Sequence, residues 1–411
     1  MDGGEVRGRM YGYGPTGAVG HNLILIDGTG PVKGIRKFVD PAYMETYMCS
    51  TWLDAVKAVM DFTHREHPDQ KYENLVPLSS PVKWERIILF PGREYILIVD
   101  MLESEKSHTY EWLYHLSSLN IVPTKDKMHP GYVIGELTVG NKKVDWAKDV
   151  TTDVLLAKRE GDEWAHWASP VKLVGEYQGN VIIWKTKSIP TWKYDTYPYY
   201  SKRKTFPDSI RRFDLKTRKY VTEKIEKRDV EMKMFFSPDV EQIRVERTWG
   251  INNMRDDICY QVDHPLLRIK KKGKEAYLIT SLLTRYPDEE PAWKVSPVKT
   301  ESRTGLRIIL DKVSDTLLLG ESKDVKGEWE IALIRERDGN LQTLLFMNGR
   351  SLVYKGSELV SVKGTALHIG LNFQDNVIVG DIELSEPTEI KIRCAGIVPN
   401  QIVYKPQPKN W

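Results

Sequence analysis

The alternation of apolar and polar positions is that of β-strands for most of the chain. Residues 84–90 and 94–101 are β-rich runs joined by Pro91-Gly92-Arg93, a hairpin signal. Tyr110, Trp112, Tyr114 and Leu116 alternate with Glu111, Leu113 and His115, the period of a strand with one aromatic face. Residues 266–269 and 276–283 flank an expected turn at 270–274. Residues 329–336 and 341–347 flank Asp338-Gly339, a strong tight-turn dipeptide. Residues 367–373 and 377–384 flank Gln374-Asp375-Asn376 in the same way. The run 52–62 suits a helix or a buried strand, and its periodicity does not choose. Strands at this spacing predict an all-β fold: an antiparallel multi-stranded β-sandwich over 1–295, then a smaller C-terminal β unit over 296–411. The boundary is read from the Pro-rich stretch 287–297, and 188–214, rich in Tyr, Trp and Pro, reads as a long surface loop.

Composition narrows the function classes. The 411 residues are 41% hydrophobic and 28% charged, enough to bury a sizeable core. Sixty Lys+Arg against 57 Asp+Glu leave a net charge of +3, without the concentrated basic footprint of a nucleic-acid binder. The short basic runs 201–204 and 270–272 read as solvated loops. No apolar run approaches the ~18 residues that span a bilayer. Cys49, Cys259 and Cys394 are far apart and form neither a CxxC site nor a disulfide framework. Twelve Trp and 20 Tyr against nine Phe supply rings with an apolar face and a polar edge, suited to cores, sheet surfaces and sugar rings alike.

Candidate chemistry concentrates at the N-terminus. A Gly/Tyr-rich segment containing Tyr11 and Tyr13 leads into His21-Asn22-Leu23-Ile24-Leu25-Ile26-Asp27-Gly28. His21 shares a strand face with Leu23, Leu25 and Asp27. It suits a metal ligand, with a carboxylate such as Asp2 folded nearby, or a histidine capping a strand end. His64-x-x-His67 has ligand spacing but the surroundings of a solvated turn, and His115 reads as a satisfied buried histidine. His129, before Pro130-Gly131, reads as turn, and His166 sits in an aromatic cluster with Trp164 and Trp167. No GxSxG, P-loop, HExxH or Rossmann glycine pattern occurs.

The His21–Gly28 segment resembles the histidine-asparagine-led strand, ending Asp-Gly, of the heparinase II/III-like polysaccharide lyases. A second block agrees in order and spacing: Trp84-Glu85-Arg86-Ile87-Ile88-Leu89-Phe90, then Tyr95-Ile96-Leu97-Ile98-Val99-Asp100, then His108-Thr109-Tyr110-Glu111-Trp112-Leu113-Tyr114-His115-Leu116. It is similar to the family's arginine-led hairpin, aspartate-ended strand and later His-Leu strand. The resemblance covers roughly residues 1–120, and 265–320 in pattern only. It implies an N-terminal α/α toroid joined to a β-sandwich region, and β-elimination of uronate-containing polysaccharides such as glycosaminoglycans or alginate. It also implies a structural zinc ion with His21 and Asp2 among its ligands, a catalytic tyrosine at Tyr11 or Tyr13, and a secreted or periplasmic location.

The sequence departs from that pattern. The family's His-x-His segment, which gives the remaining zinc ligand, precedes the aspartate and is absent here, as is the toroid that would neutralise the substrate carboxylate. The expectation is the β-part of such a lyase, a fragment inactive by itself, with an acidic polysaccharide and a toroid as partners. The competing expectation is a non-catalytic carbohydrate-binding β-sandwich module.

Overall fold

The computed structural model describes residues 22–30, 40, 42–65, 76–116, 120–122, 131–133, 136–145, 155–160, 163–164, 171–187, 209–214, 217–224, 229–255, 258–285, 293–374, 377–393 and 401–404. Among them every regular element is a strand, as the apolar alternation predicts. A 14-stranded sheet begins with Ile24–Ile26 and ends with Ile258–Arg285, and a 10-stranded sheet runs from Trp293–Val298 to Gln401–Tyr404. Two further hairpins have two strands each. Pairing is antiparallel except where Val377–Leu384 takes Gln401–Tyr404 in parallel.

The predicted hairpins form. Val76–Pro91 and Ile96–His115 pair with Arg86 opposite Asp100, across a turn at Gly92 and Arg93, both at φ 58°. Ile331–Arg337 and Asn340–Tyr354 meet at Asp338 (φ 51°) and Gly339 (φ 81°), the left-handed pair that a two-residue turn requires. Of residues 52–62, all but Trp52 fall in the strand Leu53–Arg65. Of the expected surface loop, 209–214 is the strand Ser209–Asp214, and 188–208 lies outside the described residues.

One expectation fails. Residues 270–274 make no turn, and the basic run 270–272 is no loop. Ile258–Arg285 runs straight through, with Lys270, Lys271 and Lys272 opposite Glu111, Tyr110 and Thr109. The long partner strand Ile96–His115 pairs with Lys270 to Gly273, and an irregularity between Gly273 and Glu275, opposite His108 and Glu103, absorbs three extra residues of that partner strand. Lys270 and Lys272 face solvent while Lys271 points inward with the stem partly covered, so the basic run obeys the strand period.

Alternate residues of the central strands feed different cores. Trp84, Leu102, Tyr110, Trp112 and Tyr114 enter a core enclosed by the first sheet, together with Ile24 and Ile26. Ile87, Leu89, Leu97 and Val99 enter a second core shared with Leu306, Leu317, Leu333 and Leu345 of the second sheet. The third lies within the second sheet, around Phe346, Val360 and Ile369. The aromatic face at 110–116 is therefore buried as expected, but so is its opposite face, where Leu113 meets Leu25 and Leu266.

Three buried polar clusters cross between the sheets. Lys57 Nζ lies 2.9 Å from Glu45, 2.8 Å from Glu85 and 2.5 Å from Glu330. Arg335 forks onto Asp315 at 2.7 Å through two nitrogens, and Tyr95 donates its hydroxyl to the same carboxylate. Buried His368 meets Thr46 Oγ1 at 2.7 Å and Asp381 at 3.2 Å. Unpaired charge is costly at such depth, so each cluster fixes the register of one sheet on the other.

Candidate functional site

The short strand Ile24–Ile26 is laid against Ile96–His115, with Ile24 opposite Trp112 and Ile26 opposite Tyr110. Its three residues are fully buried because Ile24 and Ile26 enter one core and Leu25 another. Side chains secure both ends. Asn22 Oδ1 accepts the His115 N–H at 2.6 Å. Asp27, in a left-handed turn with Gly28, accepts the Thr109 N–H at 2.9 Å through Oδ1 and holds His108 Nδ1 at 2.8 Å through Oδ2.

Behind Asn22 stands a buried charge pair. Arg86 donates to Asp100 at 2.7 and 3.1 Å, and its third nitrogen reaches the Asn22 carbonyl at 3.2 Å. The Trp84 indole N–H donates to Asp100 at 2.9 Å, and the guanidinium lies 4.9 Å from the Trp84 ring centre. Asp100 is fully buried, so these three donors are what make its charge tolerable. Tyr114 closes the cluster with its hydroxyl 2.6 Å from Thr280. The residues quoted for the two sequence blocks, separated by some sixty positions, thus touch one another.

The tyrosines here are held as proton carriers rather than bases. Burial, then the Asp100 carboxylate, raises the Tyr114 hydroxyl far above its usual value. Burial and Asp27 push Tyr110 to about 12. Asp27, His108 and Ser80 stand in the order of a nucleophile relay, with Ser80 Oγ 3.3 Å from His108 Nε2. Ser80 is buried, takes the Lys106 N–H at 3.2 Å and pairs with Ser104 at 2.5 Å, so this chain of bonds is a clasp without an attacking oxygen.

Asp2, Tyr11, Tyr13 and His21 lie outside the described residues, as do His67, His129 and His166. His64 is on a strand beside Thr63 and Asp40, and His115 is buried as expected. No group of three or more His, Cys, Asp or Glu side chains among the described residues is arranged to hold a metal. The implied zinc ligands Asp2 and His21 are not among those residues, and no step is routed through the ion. Sequence reasoning missed Lys57 and Glu85. The available signal was a charged residue at an inward strand position, in the row Leu53, Ala55, Lys57, Val59.

Among solved structures the chain is similar to a heparinase III, at 9% identity over 80% of this chain and 30% of that one, with TM-score 0.34. It is also similar to the heparan sulfate lyase of Pedobacter heparinus, at 10% identity over 77% and 30%, with TM-score 0.33. The chain spans about 30% of the length of these lyases. No family profile and no curated protein matches it.

Proposed function

We propose that the chain is the β-region of a polysaccharide lyase of the heparinase II/III type, working with an α/α toroid on a uronate-containing polysaccharide. The observation that supports this most is the convergence of the two resembling blocks: Asn22 and Asp27 pin their strand to His108–His115, and Arg86–Asp100 braces the Asn22 carbonyl. In the reaction a base takes the C5 proton, the C4=C5 double bond forms, and the C4–O bond breaks with protonation of the leaving oxygen. The C5 proton becomes removable only when the adjacent carboxylate is neutralised, a stabilisation of the enolate-like state. Tyr11 or Tyr13 is the proposed base and acid. Its free pKa of about 10 must be lowered by nearby charge. Structural zinc on His21 and Asp2, and a secreted or periplasmic location, belong to the same reading and rest on resemblance.

The test is formation of unsaturated uronate from heparan sulfate and alginate by the toroid-bearing protein. Tyr11→Phe or Tyr13→Phe is expected to lower turnover by about 10²–10⁴-fold while substrate affinity stays. Turnover unaffected by both substitutions contradicts the assignment. Retained binding with no turnover in the unsubstituted protein favours the non-catalytic carbohydrate-binding module.

A further inference from the structure

The strand Val76–Pro91 presents the charge pair with Asn22 on one face and Glu85 on the other. On the Glu85 side, where the second sheet meets the first, lies an open cleft of about 600 Å³. That is within the ~300–1,000 Å³ typical of small-ligand sites. Its lining includes Arg303, Glu328, Trp329, Glu330, Asn348 and Arg350.

The polar groups are held in place by contacts behind them. Glu330 receives Lys57 Nζ at 2.5 Å and Asn348 Nδ2 at 2.7 Å. Asn348 gives its second donor contact to Glu45 at 3.1 Å, so its Oδ1 is left to accept. Arg303 is fixed by Glu103 at 3.0 Å and lies 5.6 Å from the Tyr277 ring centre. Gly349 lets two backbone segments close the lining, since a Cβ there would come within 2.3 Å of the Glu328 carbonyl. Trp329 is half-buried, packs with part of its ring against the core of the second sheet, and its buried indole N–H has no hydrogen-bond partner. Glu328 and Arg350 are exposed.

From this lining we infer that the cleft binds the rings of an uncharged saccharide. Glutamates only accept hydrogen bonds and arginines only donate them. Hydroxyls do both, so a sugar satisfies a lining that mixes the two, while its C–H face covers an indole. A polyanion is disfavoured. Glu330 is paired with Lys57 and Arg303 with Glu103, which leaves Glu321 and Glu328 in the lining against Arg350. The inference does not depend on the lyase reading, because it uses neither the N-terminal segment nor the face that carries Asn22.

Calorimetric titration of the full chain with cellohexaose and maltohexaose tests it, with a guluronate hexamer and a heparin hexasaccharide as acidic comparators. One neutral hexaose is expected to bind with Kd below ~1 mM. Trp329→Ala, and the exposed substitutions Arg350→Ala and Glu328→Gln, are each expected to weaken it about tenfold or more. The exposed pair keeps the test open if Trp329→Ala does not fold. Three results overturn the inference: no binding of either neutral hexaose up to ~10 mM, binding that survives both exposed substitutions, or an acidic hexamer that binds more tightly and is lost with Arg350→Ala.

Discussion

Replacing Lys57 by Met tests whether the sheets are joined by charge as much as by apolar packing. Lys57 has no exposed side-chain surface, and its ammonium is the shared partner of Glu45, Glu85 and Glu330. Burial alone would lower its pKa, but Glu330 and the other two carboxylates outweigh that and hold it far above the ordinary lysine value. Methionine keeps much of the volume and removes the charge, leaving three acidic groups around an apolar tip. Removing one member of a buried ion pair costs about 3–5 kcal/mol. Since a folded domain holds ~5–15 kcal/mol in all, a loss of that size is plain in a urea unfolding curve at pH 7. Acid should relieve the repulsion, so the deficit is expected to shrink between pH 7 and 5. Adding Glu85→Gln and Glu330→Gln to Lys57→Met should recover part of it. A loss below ~1 kcal/mol at pH 7, or one that does not shrink on acidification, refutes the reasoning.

Four further outcomes are expected. Burial, then its bonds to Glu85 and the Glu85 charge, raise the Glu330 carboxyl against the opposing Lys57 charge, so its contribution is present at low pH and lost as pH rises through the raised value; Glu330→Gln should remove that loss on rising pH from the stability profile. Burial works to raise Glu85 too, but its bonds to Glu330 and Lys57 take it down to about 2, so its contribution is full above ~4.3 and lost as pH falls towards 2, a loss that Glu85→Gln should abolish. Burial lowers Lys271 to about 8, with the Tyr277 carbonyl at 3.0 Å as its hydrogen-bond acceptor, so stability should rise with pH between 8 and ~10.4, and Lys271→Met should flatten that rise. Gly327 stands at φ 135° with the Ser351 carbonyl 2.2 Å from where a Cβ would sit, so Gly327→Ala should cost at least ~1–3 kcal/mol by thermal or urea unfolding.

Much of the strand content was readable because a residue's side of a strand depends only on its parity. That rule carried the strands of the 84–101 hairpin and the aromatic face at 110–116, while the turn at Asp338-Gly339 was read from its dipeptide. It misread 270–274, where four lysines and a glycine look like a turn until a twenty-residue partner strand lies beside them. At the candidate site, the His-Asn and Asp-Gly ends of the first strand were recognisable as pattern. Their partners were not: Asn22 with His115 and Asp27 with His108 are contacts between segments with no common local signal.

The sequence by itself determined the all-β class, most hairpins and their turns, and which residues alternate, because these follow from local backbone preference and a period of two. Tertiary structure alone decided that both faces of the central strands are buried, and that Lys57, Asp100 and Arg335 are charge centres of the interior. A charged side chain within a strand is ordinarily solvated. Only the arrival of a carboxylate or guanidinium from a segment as many as 273 positions away, as for Lys57 and Glu330, turns it into a joint that holds two sheets in register.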